Sequence, residues 1–157
     1  MARQAGFTLV ELLVVLVIMG MMTMMAVPAA GSGYEQRLDL VELQVRDALA
    51  RAQALARSTR TPHGVVFDTA SDRFAVVDSS GSAVIDPLTR GDYIIDFDRP
   101  DQPRAIDFLS ATFGANGHAA IFDGQGLPVN GGSVTIGCHE AARTLALDAA
   151  TGKVTAE

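Results

Sequence analysis

The chain has a single cysteine, Cys138, among its 157 residues, so no disulfide can form within it and the redox compartment stays open. Positive charge is also scarce: 12 Lys and Arg stand against 18 Asp and Glu, a net charge of −6. A nucleic-acid groove needs a basic face to displace phosphate counterions, and this balance argues against one. The acids are scattered and form no acidic tail. No His-x-x-x-His or Cys-x-x-Cys spacing occurs, and His63, His118 and His139 read as lying in separate loops, which leaves no recognisable metal site. Cys138 and His139 are adjacent; on a strand their side chains would face opposite sides, poor geometry for a nucleophile and its base. The stretch Asp123-Gly124-Gln125-Gly126 lacks the alternating oxygen ligands and terminal bidentate glutamate of a calcium loop, and reads as a tight turn. Arg90-Gly91-Asp92 is a tripeptide expected by chance. Repeats and low-complexity tracts are missing too. These absences leave no catalytic constellation: the expectation is a protein that is not an enzyme, with no cofactor and no metal.

What the sequence does have is concentrated at its start. Its length fits one modest domain plus an N-terminal appendage. Hydrophobic residues make up 48%, with the excess in the first 30 positions. The run Gly6 to Pro28 reads GFTLVELLVVLVIMGMMTMMAVP. Its apolar part, 7–27, covers about 21 residues, roughly 31 Å as a helix, enough to cross a bilayer. A secretory signal would have a shorter core, a more basic leader and a small-residue cleavage site; here the leader MARQAG holds only Arg3, and Val27-Pro28-Ala29 is a poor site. An ordinary anchor helix explains the length and places Arg3 in the cytoplasm. Neither reading explains Glu11. A carboxylate at mid-bilayer costs about 2.5–3.5 kcal/mol on insertion scales, and no Lys, Arg or His lies between Phe7 and Val27.

Beyond Pro28, which should kink or locally melt a helix, and the Gly31-Ser32-Gly33 triplet, the sequence turns amphipathic over about 35–57. Leu38, Val41, Val45, Ala48, Leu49, Ala52, Leu55 and Ala56 follow the i, i+3, i+4, i+7 rhythm of a helix docking one stripe on a sheet. Pro62 ends it. Short strands are expected at 64–68, 73–78, 92–98, 104–109, 119–123, 133–138, 143–148 and 153–155, separated by Asp/Ser/Gly turn chemistry. One long helix followed only by strands predicts an α+β domain with the helix packed on antiparallel sheet.

The junction Gly6-Phe7-Thr8-Leu9-Val10-Glu11 resembles the class III leader junction of type IV pilins and type II secretion pseudopilins. The resemblance implies that a prepilin peptidase removes residues 1–6, cutting between Gly6 and Phe7, and N-methylates Phe7. It also implies that Glu11, fifth after the cut, is an assembly residue and that Pro28 marks a helix kink. Chemistry fits this: the cut creates an α-ammonium on Phe7, of reference pKa near ~8, with which a Glu11 carboxylate of the same or a neighbouring subunit can pair. Further along, DALARAQALARSTRTPHGVVFD, AIFDGQGLPVNGGSVTIG and RTLALDAATGKV resemble the GspH/FimT group. The resemblance therefore implies a pilin-like fold with a transmembrane, filament-core helix over 7–27 and a periplasmic globular domain over 28–157. It implies a minor pseudopilin of a type II secretion system, in the inner membrane and then in a pseudopilus. The implied partners are other major and minor pseudopilins, the prepilin peptidase and the inner-membrane assembly platform. A FimT-like minor pilin of a type IV pilus, in pilus assembly or DNA uptake, is the alternative. A basic C-terminal surface would favour DNA uptake, and Arg143 and Lys153 are the only cations near the end of the chain. A membrane-anchored periplasmic enzyme or binding protein would leave Gly6, Phe7 and Glu11 unexplained.

Overall fold

A computed structural model describes residues 9–25, 33–103 and 105–157. The chain divides into two compact units, Met1–Gly33 and Tyr34–Glu157. In the first lies helix α1, Leu9–Met25. Helix α2, Gly33–Thr59, opens the second, and eight strands follow: β1 (His63–Asp68), β2 (Arg73–Val77), β3 (Ile94–Asp96), β4 (Asp107–Thr112), β5 (Ala119–Phe122), β6 (Gly132–Cys138), β7 (Ala141–Leu147) and β8 (Val154–Ala156).

The strands form two four-stranded sheets, ordered β3-β2-β1-β5 and β4-β6-β7-β8, and every named pairing is antiparallel. The fold is therefore the α+β arrangement that the run of one helix and then strands dictates. The apolar stripe of α2 supplies its share of the core: Leu38, Val41, Val45, Ala48, Leu49, Ala52 and Ala56 are buried, while Leu55 is only partly so. Burying the four larger side chains alone is worth roughly 6–12 kcal/mol gross, at about 1.5–3 kcal/mol each. Among the strands, Val65 and Phe67 of β1, Phe74 and Val76 of β2, Val134 and Ile136 of β6, and Leu145 and Leu147 of β7 alternate inward. Five phenylalanines join the two sheets: Phe67 stacks on Phe113 at 5.6 Å, and Phe74, Phe97 and Phe108 meet at centroid distances of 5.6 and 6.1 Å in edge-on or tilted pairs.

Local chemistry sets the ends of these elements. Helix α2 closes with the Ser58 and Thr59 hydroxyls donating back to the Leu55 carbonyl, then Arg60 in the left-handed region at φ 56°, then Pro62. The 123–127 turn packs against this end so closely that a Cβ on Gly124 would sit 2.6 Å from the Arg60 carbonyl oxygen. Gly126, at φ +75°, would place a Cβ 2.4 Å from the Arg57 side chain. Several turns are built on aspartates: Asp148 accepts from the Ala150 and Thr151 amides and the Thr151 hydroxyl, and Asp78 accepts from the Ser80 hydroxyl and the Ser80 and Ser82 amides. Those hydrogen bonds, the side-chain ones first, hold both carboxyls below the usual range.

Two strands differ most from the sequence-based expectation, the other six only by one or two residues at an end. β4 runs from Asp107 to Thr112 instead of 104–109, and a register shift between Phe108 and Ser110 lets Phe108 and Ala111 both face inward across an odd spacing. Arg104 lies outside the described residues. β3 is three residues, shorter than 92–98, although Tyr93 and Phe97 still exchange single hydrogen bonds with β2 and its connection to β1.

Candidate functional site

Of the residues that the leader junction points to, Gly6, Phe7 and Pro28 lie outside the described residues. Glu11 is within them, in the first turn of α1, and exposed. A carboxylate at this end of a helix faces the positive pole of the peptide dipoles, worth about 0.3–1 kcal/mol at an exposed position. Around it every side chain from Leu9 to Met19 is exposed, with Leu9 at 89% and Val15, the least exposed of the large apolar ones, at 45%. Over 9–19 the helix is apolar on all sides but for Glu11, so it has no polar face with which to lie on water. Each Val, Leu, Ile and Met side chain over 9–19 gains roughly 1.5–3 kcal/mol on transfer to an apolar surrounding, which dwarfs the dipole contribution at Glu11. The described helix is 17 residues, about 26 Å at 1.5 Å per residue, against the 21 residues expected over 7–27. Among the described residues, no helix is long and apolar enough to cross a membrane.

A second charged arrangement lies wholly in the other unit, between residues more than 100 positions apart in sequence. Arg143, on β7, donates from Nη1 to Asp39 and to Glu42 (2.8 Å), and from Nη2 to Glu35 (3.2 Å). The acids sit at i, i+4 and i+7 along α2 and so share one face of the helix. Its hydrogen bonds to Asp39 and Glu42 hold the guanidinium pKa above its usual value, leaving Arg143 charged at every accessible pH. Glu42 also pairs with Arg46 at 2.8 Å, and Arg46 donates to the Val154 carbonyl at 3.1 Å, tying in β8. Exposed ion pairs contribute about 0.2–1 kcal/mol each, well below the buried stripe. The stripe therefore holds α2 on the sheets, and Arg143 ties the first turns of α2 to β7. At the start of α2 the Tyr34 ring lies 4.5 Å from His139, with Arg37 over it at 5.8 Å.

The other candidates resolve into structural roles. His63 opens β1 instead of standing in a loop; it is 7% exposed, with Nδ1 2.9 Å from the Thr61 carbonyl. The His118 Nδ1 bonds the Ala111 carbonyl, 2.6 Å away. Cys138 is buried at the end of β6, whereas His139 is exposed, at φ 55°. Asp123 accepts from the Gln125 and Leu127 amides, both at 2.9 Å, within the turn that seats the end of α2. Among the described residues, no group of three His, Cys, Asp or Glu side chains could hold a metal ion.

Residues 1–27 match the prokaryotic N-terminal methylation motif, a stretch that includes Gly6, Phe7 and Glu11. Comparison with curated proteins finds no significant sequence match. The structure is similar to that of the type IV minor pilin FimU of Pseudomonas aeruginosa strain PAO1, with a TM-score of 0.50 and 19% identity over 78% of this chain and 89% of that one. At such identity the likeness is one of fold. The chain thus carries a prepilin-type N-terminal motif ahead of a pilin-like α+β domain.

Proposed function

We propose that this protein is a minor pseudopilin of a type II secretion system, a structural subunit of the periplasmic pseudopilus that drives folded proteins through the outer membrane. The observation that carries the reading is the methylation motif running into a helix that is apolar on every side but for Glu11. In this reading prepilin peptidase cuts between Gly6 and Phe7 and methylates the new amine. The segment 7–27 sits in the inner membrane with its N-terminus cytoplasmic and the domain 28–157 periplasmic. Assembly then moves the apolar helix from lipid into a core of like helices, an exchange of one apolar surrounding for another. Glu11 supplies the polar registration by meeting a Phe7 ammonium. Other pseudopilins and the inner-membrane assembly platform are the partners, and the function needs no catalysis.

The likeness to FimU supports a second reading, a minor pilin of a type IV pilus. Within it DNA uptake is disfavoured by the net charge of −6 and by Arg143, a cation near the end of the chain, being engaged with three acids. Chromosomal deletion with complementation separates the two. Loss of exported proteins from the medium, with their accumulation in the periplasm, is expected. Normal secretion with lost surface pili would replace the first reading by the second.

A further inference from the structure

We infer that β3 is an acceptor edge: an extended segment of a partner protein, bearing lysine or arginine, adds to the first sheet as a parallel strand in the groove between β3 and α2. β3 ends its sheet. The Val76 amide donates to the Tyr93 carbonyl and the Phe97 amide to the Asp72 carbonyl, both at 3.1 Å, in one register with the pairs Ala75↔Ile94, Phe74↔Ile95 and Arg73↔Asp96. In an antiparallel ladder the hydrogen-bonded positions alternate, so Ile95, the Tyr93 carbonyl and the Phe97 amide turn toward β2, while the Tyr93 amide donates to the Val84 carbonyl at 2.7 Å. The peptide groups of Ile94 and Asp96 point outward. The Ile94 amide is taken by the Asp92 carbonyl at 2.9 Å, and the Asp96 carbonyl accepts from the Arg99 amide at 3.3 Å. Among the described residues the Ile94 carbonyl and the Asp96 amide are left, an acceptor and a donor flanking Ile95. A parallel strand uses such a pair around one of its own residues. At the opposite end of the sheet the Val129 amide donates to the Ile121 carbonyl of β5 at 2.8 Å and Pro128 bridges to Phe122, so the chain itself covers that edge.

The groove supplies the chemistry of the occupant. Its volume is about 610 Å³, and both β3 and α2 line it. Arg51, on the α2 wall, holds its guanidinium over the Tyr93 ring, 5.1 Å from the centroid. Among the described residues that line it, five are aspartates, including Asp47, Asp92 and Asp101, against Arg51 and Arg99, an excess of three negative charges. The pairings inside it are loose: Arg51 to Asp86 at 3.9 Å and Arg99 to Asp96 at 3.8 Å. Cationic side chains on an extended backbone fit this lining, and acidic ones are repelled.

The test uses the full-length, ¹⁵N-labelled chain in detergent micelles and the probe acetyl-Val-Lys-Val-Lys-Val-Lys-amide. A saturable shift of the Asp96 amide resonance is expected, with the glutamate-for-lysine probe about tenfold weaker and a probe N-methylated at alternate amides inactive. Asp96→Pro deletes the outward N–H and leaves the ladder to β2 intact, whereas Asp96→Ala keeps that N–H; the proline variant should bind about fivefold more weakly than the alanine one. Should Asp96→Pro fail to fold, the N-methylated probe decides the same point from the ligand side. Absence of saturable binding, an unmoved Asp96 amide, or equal affinity for the acidic or N-methylated probe would overturn the inference.

Discussion

In the proposed reading Glu11 is costly in an isolated membrane helix and valuable in an assembled one, so its two contributions have opposite signs. Glu11→Ala should leave the membrane level of the single subunit unchanged or raised, because an acid is removed from apolar surroundings. Partner contact should fall, because deleting one member of a buried charged pair costs on the order of 3–5 kcal/mol. Glu11→Gln should fall between, keeping an acceptor without the charge. Co-purification with other pseudopilins, normalised to membrane abundance, reads both effects, and full partner contact from Glu11→Ala would reduce the residue to a tolerated acid. The residue before the cut is tested separately. Intact mass from a peptidase-positive host should show loss of residues 1–6 and one added methyl group on Phe7; a mature start at Ala30 would instead indicate signal peptidase. A bulky side chain in place of Gly6 should abolish the processing.

At the scale of elements, the α2 stripe and the succession of strands along the chain were legible because burial imposes periods of 3.6 and 2 on one-dimensional sequence. Leu38, Val41, Val45 and Leu49 announce themselves by spacing alone. The β4 boundary was not legible, since a bulge at Leu109 breaks the period on which the reading depends. The Arg143 cluster was invisible for another reason: it joins residues 101 to 108 positions apart, and no local rule links a strand arginine to helix acids at that separation. The acids at i, i+4 and i+7 were the available signal, a same-sign face in need of a counter-charge. Arg143→Met should therefore lower the stability of the Tyr34–Glu157 unit by about 1–2 kcal/mol, leaving Glu35, Asp39 and Glu42 to repel one another. A melting temperature about 3–6 °C lower is expected, with partial recovery on adding Glu42→Gln. An unchanged melting temperature would mean that the cluster is solvated and contributes nothing.

For the whole molecule, the two units predict separable behaviour. A chain starting at Ser32 keeps the entire buried core and loses the apolar helix, so it should be a folded monomer in water. It should bind duplex DNA no better than other acidic proteins at physiological salt; tight binding with a steep salt dependence would favour the DNA-uptake pilin. The claim that the N-terminal helix works among other helices of its kind is tested most directly in the native bacterium. A photo-crosslinking residue placed at Leu13, in the middle of the exposed apolar surface, should capture other pilin-like subunits, and only when prepilin peptidase is present. Capture of lipid alone, or the same products with and without the peptidase, would contradict it.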